Sequence, residues 1–124
     1  MKKVTARQLM IGDWVKWRSY TRSVRWISES HIILNWTVDF QTEKECIAFT
    51  ATPIPITEEW LKRNGWEMFN PRELVYYNGI KRMFYSFSEK RFSNDGFNAP
   101  NIAYIHQLQQ AYRLATNKEL KVKF

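Results

Sequence analysis

The side chains that could do chemistry are few and scattered. His31 and His106 sit in no spacing that would chelate a metal, and the lone Cys46 can form neither a thiolate cluster nor an internal disulfide. Cys46 with His106 could serve as nucleophile and base, but no local signature surrounds Cys46. Its run, Cys46-Ile-Ala-Phe49, reads as a strand with a small buried thiol. His106 flanks an apolar helical stripe and reads as a hydrogen-bonded structural residue. Glu58 and Glu59 resemble paired carboxylates, yet neighbours on a helix point about 100° apart and cannot converge on one substrate. The glycines at 12, 65, 79 and 96 are too dispersed for a phosphate-cradling loop. The expectation is a protein that is not an enzyme, with no catalytic residue, metal or cofactor.

Binding chemistry is better represented. From Trp14 to Trp26 the chain interleaves Lys16, Arg18, Arg22 and Arg25 with aromatic residues and carries no acid. On one face of a hairpin this would form a cationic groove with aromatic platforms, the pairing that single-stranded nucleic acid uses. The candidate contacts are Lys16, Arg18, Arg22, Arg25, Trp14 and Tyr20. The plainer account puts the aromatics in a core and the long basic side chains around its solvated rim. Lys81, Arg82, Lys90 and Arg91 make a second basic set, interrupted by Glu89. The contrasting function is a protein interaction module, because six tryptophans exceed what a core of this size must hide.

The elements that must position these residues are legible around one segment. Pro53-Ile54-Pro55-Ile56 holds the chain extended. Thr57 then caps a helix over 57–64, Glu58 and Glu59 suit its positive end, and Lys62 and Arg63 suit its negative end. Ile56 and Leu61 have the staple spacing, Gly65 can close the helix in a left-handed conformation, and Trp66 can fold back on Leu61. Before this joint, a turn at Gly12-Asp13 leads into an alternating strand through Trp17. Ser19 to Arg22 reads as a turn, and Ser23–Ile27, Ile32–Trp36 and Cys46–Phe49 read as further strands of a small antiparallel barrel like that of Src-homology-3 domains. After the joint, Asn78-Gly79 predicts a two-residue turn inside a β-hairpin over 73–87, and Asn94 to Pro100 reads as an irregular loop. Asn101 is the expected cap of a second helix over 102–115, with Ile102, Ile105, Leu108, Tyr112 and Ala115 as its apolar stripe, Asn117 as its terminator and 119–124 as a closing strand. No internal repeat is evident. The fold class is α+β, one domain over 1–124, β-rich over 1–52 and mixed over 53–124.

Three of these runs together carry a resemblance: Ile11-Gly-Asp-Trp-Val15, then Pro53-Ile-Pro-Ile-Thr-Glu-Glu-Trp-Leu61 with Gly65, then Ile105-His-Gln-Leu-Gln109 with Tyr112. In this order they resemble a family of small uncharacterised proteins from Bacteroidota, their phages and mobile elements. The resemblance implies an architecture and a genomic setting, and no activity, ligand or catalytic residue. Asn117 stands where that pattern has glycine, a change the left-handed conformation tolerates. The net charge of +7, spread along the chain, favours acidic partners, nucleic acid first. A chain of 124 residues can bury a core without disulfides. The start lacks the apolar run of a signal peptide and no stretch is long enough to span a membrane, so the expected location is cytoplasmic.

Overall fold

A computed structural model describes residues 3–5, 8–17, 20–27, 32–34, 46–48 and 50–124. The protein is α+β. Its chain divides into two compact units, Met1–Ile54 and Pro55–Phe124.

In the first unit the strands are β1 (Val4–Thr5), β2 (Trp14–Trp17), β3 (Tyr20–Ile27), β4 (Ile32–Leu34), β5 (Cys46–Ala48) and β6 (Thr50–Ala51). β2 through β5 form an antiparallel sheet in sequence order, and β1 pairs with β6. The backbones of Lys16 and Thr52 exchange hydrogen bonds of 2.8 and 2.6 Å, which joins the two sheets into the order β1-β6-β2-β3-β4-β5. Among the described residues this ribbon does not close into a barrel. Its core is Val4, Leu9, Val15, Val24 and Ala51, with Ile27 packed against them. The turn expected before β2 is present. Gly12 at φ 94° takes the position that favours glycine, and the Asp13 amide donates to the Met10 carbonyl at 3.0 Å. The buried Asp13 carboxylate accepts the Met10 amide at 2.9 Å, so this acid belongs to the turn. The turn expected over Ser19 to Arg22 is shorter. Trp17 pairs with Tyr20, because continuing the ladder satisfies more backbone groups than a wider loop, and the intervening Arg18 and Ser19 lie outside the described residues. The expected ends of the third and fourth strands, at Trp36 and Phe49, also lie outside them.

The second unit opens with α1 (Glu58–Arg63), whose ends follow the predicted chemistry. Thr57 Oγ1 accepts the Trp60 amide at 3.1 Å. At the other end the Trp66 amide donates to the Leu61 carbonyl and the Gly65 amide to the Lys62 carbonyl, at 2.9 and 3.3 Å, with Gly65 at φ 86°. Ile56, Trp60, Leu61 and Trp66 are all buried, so packing supplies the stability that so short a helix lacks alone. The nearest atom to a Cβ placed on Gly65 would be 3.9 Å away, which leaves backbone strain as the main cost of a side chain there. Gly65→Ala is therefore expected to lower the unfolding free energy by about 1–2 kcal/mol in chemical denaturation. An unchanged midpoint would mean that the left-handed cap is dispensable.

Five strands follow: β7 (Glu67–Asn70), β8 (Val75–Asn78), β9 (Met83–Ser86), β10 (Arg91–Asn94) and β11 (Phe97–Ala99), paired antiparallel in order. They contain a repeat that the sequence reading misses. A four-residue strand and a four-residue loop alternate three times before β10, and each loop ends in a left-handed residue, Leu74 at φ 53°, Arg82 at 53° and Lys90 at 50°. The last residue of each preceding strand caps the loop: Asn70 Oδ1 accepts the Arg72 amide at 3.0 Å, Asn78 Oδ1 the Lys81 amide at 3.2 Å and Ser86 Oγ the Glu89 amide at 3.3 Å. The hairpin expected over 73–87 exists, but Asn78-Gly79 is not its turn. Asn78 pairs with Met83 as the last strand residue, so the loop is Gly79–Arg82. The two-residue turn lies instead at Asp95-Gly96, where φ is 40° and 90°, and makes β10 and β11 a hairpin in place of the expected irregular loop.

Helix α2 (Ile105–Thr116) packs against β10 and begins later than expected. Asn101 sits at φ 62° and cannot be an N-cap, which needs extended backbone. Tyr104 takes that place, and Gln107 Oε1 reaches back to accept the Ala103 and Tyr104 amides at 2.8 and 3.1 Å. Asn117 ends the helix at φ 58°, as read. Tyr76, Tyr85 and Phe92 form a buried row across the sheet, with Phe92 on the strand that packs against α2 and Tyr76 beside Glu58 of α1. The Tyr85 hydroxyl donates to the Ile102 carbonyl, and burial pushes its pKa up to about 12. Residues 119–124 are not the expected strand, and a side chain rather than a sheet edge takes the backbone groups of Lys123. The Lys123 amide donates to Asn64 Oδ1 at 2.7 Å, and Asn64 Nδ2 donates to the Lys123 carbonyl at 3.0 Å.

Candidate functional site

The register of β2 and β3 divides the hairpin candidates between two faces. Opposed residues in an antiparallel pair share a face. Lys16 stands opposite Thr21 and Trp14 opposite Ser23, while Arg22 stands opposite the fully buried Val15 and Tyr20 opposite Trp17. Lys16 is exposed and Trp14 half-buried on one side. On the other side the Arg22 guanidinium lies 5.3 Å from the centre of the Tyr20 ring and donates to the Thr21 carbonyl at 2.7 Å. Arg18 lies outside the described residues, and Arg25 belongs to β3 without a described side chain. Lys16 and Trp14 are therefore brought together, and Tyr20 and Arg22 are brought together elsewhere.

The second unit carries a clearer surface. In the sheet of β7 to β11 the row Glu67, Tyr77, Phe84, Ser93, Asn98 faces away from the buried row Tyr76, Tyr85, Phe92. Tyr77 and Phe84 are cross-strand partners with ring centres 4.5 Å apart. A register irregularity in β7 between Met68 and Asn70 frees Phe69, which leans over both rings at 6.1 and 5.2 Å. Phe69 is 64% exposed. Beside these rings lies a cleft of about 410 Å³ lined by Tyr77, Arg82, Phe84, Ser93, Asn94, Asp95 and Gly96. The arrangement offers flat π surfaces, one guanidinium, the Asp95 carboxylate and several small polar groups. That suits stacking and hydrogen bonding of a planar ligand.

The second basic set is dispersed by the same sheet. Lys81 and Arg82 sit in the β8–β9 loop, while Lys90 and Arg91 lie at the opposite end, Arg91 within 3.6 Å of Glu89. Phe69, Tyr77 and Phe84 escaped the sequence reading, although the spacing of Tyr77 within Val75–Asn78 already puts it opposite in face to Tyr76. His106 and Gln109 are buried on α2, and the His106 ring stacks on Tyr104 at 6.1 Å. Among the described residues no three His, Cys, Asp or Glu side chains are grouped to hold a metal, and no helix is long and apolar enough to cross a membrane. No family model, curated protein or solved structure matches this chain.

Proposed function

We propose that the protein is a noncatalytic accessory protein that binds single-stranded nucleic acid on the outer face of the β7–β11 sheet. The observation that supports this is the cluster Phe69, Tyr77 and Phe84, three rings in contact on the solvent side of a sheet with Arg82 at their edge. Aromatic rings held by a sheet present their faces to bases with little side-chain entropy to lose, and each stacked base is worth roughly 1–3 kcal/mol. The charge of +7 supplies attraction to the phosphate backbone without sequence preference. Lys16 and Trp14 on one face of the β2–β3 hairpin, and Tyr20 and Arg22 on the other, remain with Arg18 and Arg25 as further candidate contacts in the same proposal. A cytoplasmic setting and kinship with the small Bacteroidota, phage and mobile-element family belong to it too. We also infer that the six-strand ribbon of the first unit curls as a Src-homology-3-like barrel. Its continuous strand order and the register irregularity between Val24 and Trp26 support that reading, since bulges bend strands.

A protein partner is the second reading, favoured by the exposed apolar residues of the same unit, Phe69 at 64% among the rings and Ile80 at 95% in the β8–β9 loop. Fluorescence anisotropy with labelled single and double strands at two salt concentrations separates the two. The expected result is binding of single strands that weakens as salt rises, with a slope of roughly 0.7 per phosphate neutralised. A flat salt response, or no binding, overturns the nucleic-acid reading. Neutralising Lys16, Arg18, Arg22 and Arg25 together to Gln is expected to reduce both affinity and slope. Unchanged affinity in that variant removes the hairpin from the contact surface and leaves the sheet.

A further inference from the structure

We propose that a concave cluster of cations at the carboxy-terminal end of α1 is a phosphate-binding site. It deepens the nucleic-acid reading by seating the backbone of the same ligand, and it rests on that reading only for the polymer. The cleft encloses about 370 Å³ and is lined by Arg63, Lys81, Lys121 and Lys123 with Asn64 and Gly65. No carboxylate lines it. The ion pairs among the described side chains, Arg91 with Glu89 and Arg113 with Glu119, use none of these four residues.

Structural causes account for only part of this cluster. Arg63 suits the negative end of α1, but that end carries only about half a unit of charge. Its carbonyls at Trp60, Leu61 and Lys62 already accept from Asn64, Trp66 and Gly65. Lys81 has a cation–π partner in the Tyr112 ring, and Lys121 and Lys123 have no such explanation. Burial, and next the neighbouring Lys121, hold the Lys81 ammonium below the usual lysine range. Gathering like charges in a concavity costs stability that an incoming anion would return.

The donors are also held in place. The amide of Asn64 clamps the Lys123 backbone from both sides, and Leu120 is buried and Val122 half-buried, so Lys121 and Lys123 stand on the exposed alternate positions. Lys81 is fixed through its backbone by the side chains of Asn78 and Asn94, at 3.2 and 3.0 Å, and its ammonium lies 5.2 Å from the Tyr112 ring. Several point charges and one guanidinium fork match the charge and multiple acceptor oxygens of a phosphate better than the single charge of a carboxylate. Lys81 adjoins Arg82, which lines the aromatic cleft, so one loop borders both places. A strand with bases on Tyr77 and Phe84 would lead its phosphates past this loop.

The test uses the full chain, with pyrophosphate in calorimetry and a labelled oligothymidylate in anisotropy. The variant is Lys121→Gln with Lys123→Gln, whose side chains are exposed and whose backbone bonds are untouched. Lys90→Gln with Lys118→Gln is the control of equal charge. The expected result is that the first pair weakens pyrophosphate at least tenfold and lowers the oligonucleotide salt slope by roughly 1.4, while the control leaves pyrophosphate unchanged. Loss of pyrophosphate with an unaltered oligonucleotide supports the site and assigns it to a small phosphorylated ligand. An equal effect from both pairs, or none from either, overturns the proposal. Failure of the nucleic-acid reading shows separately, as oligonucleotide binding by the parent protein that is absent or indifferent to salt.

Discussion

Phe92→Ala is expected to lower the unfolding free energy of the second unit by about 3–5 kcal/mol, the usual cost of emptying a buried phenylalanine site. The ring is fully buried between Tyr85 and Ala99 on the face that α2 covers, with Phe97 against its edge at 6.3 Å. Domain stabilities are themselves about 5–15 kcal/mol, so this one change should leave the unit close to unfolding at ordinary temperature. Trp60 and Trp66 are buried in the same unit and report the transition by fluorescence during urea titration. Phe69→Ala, on the outer face, should move the midpoint by no more than about 0.5 kcal/mol, as exposed positions do. Comparable losses in the two variants would contradict the assignment of faces across the sheet.

Phe69→Ala combined with Phe84→Leu is expected to weaken single-strand binding by about 2–6 kcal/mol, from roughly thirty-fold to more than ten-thousand-fold, if each ring carries one base. Leucine at Phe84 keeps apolar bulk over Tyr77 while removing the π face, which guards the fold. No charge changes, so the salt slope should stay near that of the parent protein. That combination of lost affinity and kept slope identifies stacking and distinguishes it from the loss of a phosphate contact. Anisotropy at two salt concentrations gives both quantities. Binding within twofold of the parent would exclude these rings as the platform.

The two faces explain why the repeat escapes a hydrophobic pattern. Successive strands run antiparallel, so the buried residues are the second and fourth of β8, the first and third of β9, and the second and fourth of β10. The apolar phase reverses with each eight-residue unit, and the one constant feature is a polar cap, Asn70, Asn78, Ser86, at the strand end. Read as core formers, Tyr76 and Tyr77 look alike. Pairing separates them, Tyr76 against Tyr85 on the buried face and Tyr77 against Phe84 on the outer one. The hairpin of β2 and β3 shows the same limit. Lys16 and Arg22 look like one basic run, yet the register turns them to opposite faces.

Local chemistry suffices where a few adjacent residues satisfy one another. The cap at Thr57, the left-handed closures at Gly65 and Asn117 and the turn at Gly12-Asp13 all formed as their sequences imply. Each depends on backbone groups within about one turn of the chain. Where two sites carry the same local signal, distant partners choose between them. Asn78-Gly79 and Asp95-Gly96 both favour a tight turn, and the pairing of Asn78 with Met83 spends the first on a wider loop. The cationic cleft depends on distance most of all. Arg63, Lys81 and Lys121 meet because Asn64 holds the tail and Asn94, from the next strand, holds the Lys81 carbonyl, contacts between residues far apart in the chain.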